Sequence, residues 1–277
     1  MNGRRRGLLG AVAILVLAVS AAYWTLENPP MDEIDARPPA AEELEAVAGS
    51  RIFFGHQSVG ANVLSGVEEL YAGATTRAPR IVETTEPPAE DGGFIAHAYL
   101  GVNGDPYSKI ADFTRILDGP MGESVDVALL KFCYLDVTAS SDVPALFDAY
   151  SHAMSELAWR HPDVRFLYTT VPLTTDPSWR ANLKALVGRG DQAGPLDNVA
   201  REEYNELIRE RYGASGALFD VAAVEATLAQ RPTSRAEGAD RYFVLNRALA
   251  ADNGHLNALG ARAAAGELIR VLAPDVP

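Results

Sequence analysis

Residues 125–132 of this chain form a near-continuous apolar run, interrupted by Asp126 and Lys131, and 164–171 reads as a second buried strand. A strand with one wetted face alternates apolar and polar residues. A near-continuous apolar run reads as a strand covered on both faces, the habit of parallel sheets with helices above and below. Shorter strand patterns lie at 51–54, 80–84 and 217–221, and helical spacing is found at 59–70, 107–117, 142–161, 196–212 and 258–272. Gly55 is expected to end the first strand, Pro144 sits in the first turn of helix 142–161 where it is tolerated, and Gly213 is the expected stop of helix 196–212. Between these elements, 86–93 reads as a loop and 94–104 as aromatic and irregular. Residues 174–194 form a polar excursion with a short helix near 179–187, and 222–250 an insertion without a strong period. Strands and helices alternate about five times. This predicts an α/β fold: a three-layer α/β/α sandwich around a mostly parallel, about five-stranded, flavodoxin-like sheet with right-handed crossovers.

In such a fold, ligands bind beyond the carboxyl ends of the strands. The first handover from strand to helix, Ile52-Phe53-Phe54-Gly55-His56-Gln57-Ser58, places Ser58 there, at a helix N-terminus whose N–H groups favour negative charge. Ser58 reads either as a helix cap or as a nucleophile. A serine needs a base and a group that orients the base. His255 is the best base, in the turn Asp252-Asn253-Gly254-His255 just before helix 258–272. In a tight turn the three-residue spacing lets Asp252 reach the far imidazole nitrogen; the alternative is an aspartate that starts a turn and a solvated histidine. His56 and Gln57 flank the serine and are candidates for substrate or oxyanion contacts, as they are for turn packing. Lys131 ends an apolar strand and either snorkels or pairs with Asp136, and Cys133 reads as inert core. His97, His152 and His161 read as surface or packing residues. Trp159, Trp179, Tyr99 and Tyr107 are expected to pack, with stacking on a sugar as the other reading.

A serine after the first strand and Asp-x-x-His before the last helix resembles the SGNH (GDSL-like) hydrolases, over residues 51–272. The run Tyr204-Asn205-Glu206-Leu207 leading into Ala217-Leu218-Phe219-Asp220-Val221 is also similar to the segment before that family's Asp/His block. The resemblance implies a serine hydrolase cleaving an acyl ester, with Ser58 as nucleophile, His255 as general base and Asp252 as its partner. It also implies an oxyanion glycine, matched by Gly104 or Gly101. The chain departs from the pattern in two places. Gly55-His56-Gln57-Ser58 stands where Gly-Asp-Ser is usual. Cys133-Tyr134-Leu135-Asp136 stands where an oxyanion asparagine is usual, with Leu135 at that position. Asn103 is the candidate substitute donor, and Asp136 belongs to the same rim. By analogy with relatives at cell surfaces, the substrate is a small-molecule or carbohydrate ester, such as an O-acetyl group. The alternatives are an acyltransferase acting on exported glycan and a catalytically inactive, membrane-anchored binding domain.

The 277 residues, 48% hydrophobic and 22% charged, allow one large domain or two small ones. The net charge of -13 argues against nucleic acid as a partner. Cys133 is the lone cysteine, so no intrachain disulfide can form, and five scattered histidines suggest no zinc site; no cofactor is expected. Arg4-Arg5-Arg6 precedes an apolar stretch, so residues 1–25 read as a signal peptide or an uncleaved anchor contacting the membrane. Residues 26–48 read as a linker rich in Pro and acids, and 49–277 as the hydrolase-like domain. Either reading of the leader places that domain outside the cytoplasm.

Overall fold

The computed structural model describes residues 38–89, 92–176, 194–228, 231–237 and 240–273. The leader at 1–25 and the short helix expected at 179–187 lie outside the described residues. Among the described residues no helix is long and apolar enough to cross a membrane.

A six-stranded parallel sheet forms the middle layer. Its strands are β1 (Arg51–His56), β2 (Arg80–Glu83), β3 (Phe94–Tyr99), β4 (Val127–Leu130), β5 (Arg165–Thr169) and β6 (Leu218–Phe219), in the order β2-β3-β1-β4-β5-β6. Helix α1 (Ala41–Gly49) precedes the sheet. Then α2 (Ser58–Ala72), α3 (Pro106–Leu117), α4 (Val143–Arg160), α5 (Pro195–Tyr212), the short α6 (Val221–Ala226) and α7 (Ala258–Leu272) cover its faces. Two core clusters divide the molecule as the strand period dictates. Ile52, Phe54, Ile95, Val127 and Leu129 pack with α1, α2, α6 and α7. Phe53, Phe94, Ala96, Ala128 and Leu130 pack with α3, α4 and α5.

Two expectations need correction. Residues 94–99 are a full strand, not an irregular stretch: β3 pairs with β1 on one side and β2 on the other. The flavodoxin-like order is therefore carried by β3-β1-β4-β5-β6, and the 80–83 strand is an added edge. Gly55 does not end β1; it pairs with Ala98 and Leu130. A Cβ there would stand 2.4 Å from Leu100 Cδ1, so glycine is needed for close packing inside the strand. Gly213 caps helix α5 just after Tyr212, as expected, but in the right-handed region at φ -58°; the chain then runs through a 3-10 turn to Gly216, which adopts φ 69°.

Residues 222–250, read as lacking period, hold α6, a 3-10 turn at Arg247–Leu249 and two small antiparallel ladders. The ladders pair β7 (Thr227–Leu228) with β8 (Arg231–Pro232), and β9 (Ser234–Glu237) with β10 (Asp240–Phe243). Pairs of two to four residues are too short to leave an alternation in the sequence.

Helices α2 and α7 lie side by side on one face. A Cβ at Gly66 would meet the Ala261 carbonyl oxygen at 2.2 Å and Ala265 Cβ at 2.9 Å. The alanines of α7 and the bare Cα of Gly66 thus allow a backbone-close crossing.

Candidate active site

The expected crevice lies between β1 and β4, because the chain leaves β1 toward β2 and β3 on one side and leaves β4 toward β5 on the other. Gln57, extended, stands just before α2 and makes no side-chain cap, so Ser58 is the first helical residue and its hydroxyl is not spent on capping. The Ser58 and Val59 N–H groups belong to the first turn, which has no partners within the helix.

Ser58 Oγ is 2.9 Å from His255 Nε2. On the far side of the ring, Nδ1 donates to Asp252 Oδ2 at 2.8 Å and to Oδ1 at 3.0 Å. A carboxylate only accepts, so the hydrogen sits on Nδ1 and Nε2 is left to receive the serine proton. The Asp252 carboxylate also takes the Gly254 and His255 backbone N–H groups, each at 2.9 Å. The turn-forming role and the ring-orienting role expected as alternatives are thus filled by one side chain. Partial burial raises the Asp252 pKa, but the Gly254 N–H, the His255 ring and the His255 N–H together hold it below the usual carboxylate value.

The histidine turn is fastened from three sides. Asn62 Oδ1, one turn into α2, accepts the Leu256 N–H at 3.2 Å. The Asn253 carbonyl accepts the Thr175 N–H at 2.9 Å. The Tyr134 ring lies edge-on to His255 at 6.0 Å, and a Cβ at Gly254 would stand 2.5 Å from it. Asn62 and Tyr134 escaped the sequence reading; they lie far from position 255 in the chain, and no local pattern marks them.

The other expected residues divide between rim and foundation. His56 does not face the crevice: it is 1% exposed, its Nδ1 donates to the Gln57 carbonyl at 2.7 Å, and Nε2 meets His97 Nδ1 at 3.0 Å. The first turn of α2 presses on its ring, where a Cβ at Gly60 would come within 2.4 Å. Gln57 is likewise committed, its Nε2 donating to the Leu100 carbonyl at 2.6 Å. Asp136 is not on the rim. It is buried beneath it, paired with Lys109 rather than Lys131, and Lys131 Nζ donates to the Phe132 carbonyl instead. Gly104 is at φ 85°, and its N–H donates to Asp136 Oδ1 at 2.9 Å, so this N–H is not available to an oxyanion. Asn103 is exposed, and its Oδ1 accepts from Lys109 Nζ at 2.9 Å. Cys133 is buried, and burial pushes its thiol up, as inert core should be. Tyr99 and Tyr107 are about half exposed (49% and 51%), and Trp159 is at the surface; Trp179 lies outside the described residues. Among the described residues no group of His, Cys, Asp and Glu is arranged to hold a metal ion.

No protein-family model and no curated protein matches the chain. Among solved structures it is similar to a lipase/acylhydrolase from Enterococcus faecalis, with 12% identity, a TM-score of 0.48, and 82% of this chain and 97% of that one covered. It is also similar to the periplasmic domain of a lipopolysaccharide acetyltransferase from Salmonella ser. Paratyphi A, with 14% identity, a TM-score of 0.41, and 79% and 82% covered.

Proposed function

We propose that the protein is an extracytoplasmic serine hydrolase that cleaves an acyl ester. The observation that carries this is the unbroken line from Ser58 Oγ through the His255 ring to Asp252, each contact within hydrogen-bond reach. Ser58 Oγ attacks the ester carbonyl carbon while its proton passes to His255 Nε2. Asp252 stabilises the imidazolium that forms, and the proton then goes to the leaving alcohol. Water then attacks the acyl carbon as His255 takes its proton, the bond to Ser58 Oγ breaks as His255 returns that proton to it, and the acyl group leaves as a carboxylic acid. The developing oxyanion is held by the Ser58 N–H and the Asn103 side-chain amide.

The ester alcohol is a carbohydrate or another polar surface molecule. Asp252 has a side chain 60% exposed and His255 one 32% exposed, so the catalytic line runs along an open rim that a bulky alcohol can approach. The same openness favours a second reading, in which a glycan hydroxyl replaces water and the acyl group is transferred. A binding scaffold has no need for a serine held on an imidazole, and the contact weighs against that alternative.

A fluorophosphonate probe tests the reading. The wild-type protein is expected to be labelled and Ser58→Ala to stay blank, with turnover of p-nitrophenyl acetate lost in parallel. Equal labelling of the two removes Ser58 from the chemistry. Acetate release compared with acetyl transfer to an added glycan separates hydrolase from transferase.

A further inference from the structure

The loop at 100–105, which carries Asn103, is held at almost every residue. The Leu100 carbonyl accepts from Gln57 Nε2, next to the nucleophile. The Gly101 N–H donates to Asp112 Oδ2 at 2.9 Å and the Val102 N–H to Ser108 Oγ at 3.0 Å. The Gly104 N–H goes to Asp136, and the Asp105 N–H to the Val102 carbonyl at 3.0 Å. Gly101, at φ 54°, lets the backbone pass over α3, where a Cβ would come within 2.7 Å of Lys109 N.

Under this loop lies an ion pair that stability alone does not explain. Lys109 and Asp136 are 1% and 3% exposed, with Nζ 2.5 Å from Oδ2. Asp136 Oδ2 also takes the Cys133 N–H at 2.6 Å. An apolar pair of similar volume is often as stable as a buried ion pair, or more so. What the charges add here is direction. An ammonium has donors only, so Lys109 can bond only the carbonyl end of Asn103. That fixes the amide flip and turns the NH2 end away from Lys109.

We infer that Lys109, backed by Asp136, is a positioning residue that aims the Asn103 amide N–H at the oxyanion and so replaces the donor lost where Leu135 stands. The inference rests on the serine-hydrolase reading above. Lys109 acts through Asn103 and touches no substrate.

The test is a double-mutant cycle on p-nitrophenyl acetate turnover with the full chain. Asn103→Asp keeps an acceptor for Lys109 but has no N–H; because it is exposed it should fold, and kcat should fall by about 10²-fold or more, as for a lost oxyanion donor. Lys109→Met should lower kcat by a comparable factor and leave KM within about threefold, since ground-state binding is not the target. In an Asn103→Ala background, Lys109→Met should cost little more. If Lys109→Met fails to fold, Asn103→Asp still decides: a wild-type kcat in that variant overturns the inference. Multiplicative losses in the cycle overturn it too, because they mean Lys109 acts elsewhere. Ser58→Ala separates the two readings: if it abolishes turnover while Asn103→Asp does not, this inference alone fails, and if it leaves turnover intact, the hydrolase reading fails first.

Discussion

Asn62 accepts the Leu256 backbone N–H through its side-chain oxygen, 194 positions along the chain. The helix that begins with Ser58 therefore also holds the turn that carries His255. Ser58 and His255 share a mount, and their spacing does not depend on two independent loops.

Asn62→Ala should loosen that mount without unfolding the protein. One hydrogen bond of about 1.4 kcal/mol corresponds to about a tenfold loss in kcat, with KM little changed. Steady-state kinetics on a chromogenic ester would show it, and an unchanged kcat would free the turn from α2.

Asp252→Asn should slow turnover less than the about 10⁴-fold seen for a buried triad aspartate. Water reaches the Asp252 side chain, which is 60% exposed, and weakens its hold on the imidazolium. A fall of about 10- to 10³-fold in kcat is expected. His255→Ala should cost more, and the reverse ranking would contradict the assigned roles.

Much of this arrangement is legible in the sequence, and the reasons are local. Ser58 follows a strand and opens a helix, and Asp252 and His255 share one turn, so short-range pattern finds all three. β3 was missed because Phe94-Ile95-Ala96-His97-Ala98-Tyr99 mixes small and polar residues into its alternation, and its pairing with β1 is a long-range fact. The oxyanion side was misread for the same reason. Nothing near Gly104 tells that its N–H is claimed by Asp136, 32 residues later, or that Lys109 rather than Lys131 reaches that carboxylate.

Gly66→Ala tests the helix crossing. Alanine gains about 1 kcal/mol of helix propensity over glycine, but its Cβ would meet a backbone oxygen at 2.2 Å, which cannot swing aside. Overpacking of this kind costs about 1–3 kcal/mol, so the clash should win. Thermal unfolding should show a lower Tm and turnover should fall with it; a raised Tm would refute the close approach.

His56 gives the fold an acid-sensitive point. Burial lowers its pKa to about 3, outweighing the bond to the Gln57 carbonyl, and Lys131 and His97 add repulsion. In the unfolded chain the ring titrates near 6.5. Between those values the unfolded state holds a proton that the folded state does not, so stability is complete above about 6.5 and falls as pH drops toward 3, by about 1.4 kcal/mol per pH unit. Urea midpoints measured across this window should give a slope larger by about one proton in the wild type than in His56→Gln. Equal slopes would mean that His56 does not titrate as described.

Ser58 and His255 stand 197 residues apart and meet through α2 and α7. A chain extended only through β6 would already contain every strand of the central sheet and the hydroxyl, yet have nothing to draw off its proton. On the proposed reading, chemistry can begin only once the turn before α7 has docked against α2. A serine hydrolase built this way would stay silent through assembly, and its first turnover would report that two segments nearly two hundred residues apart have come home.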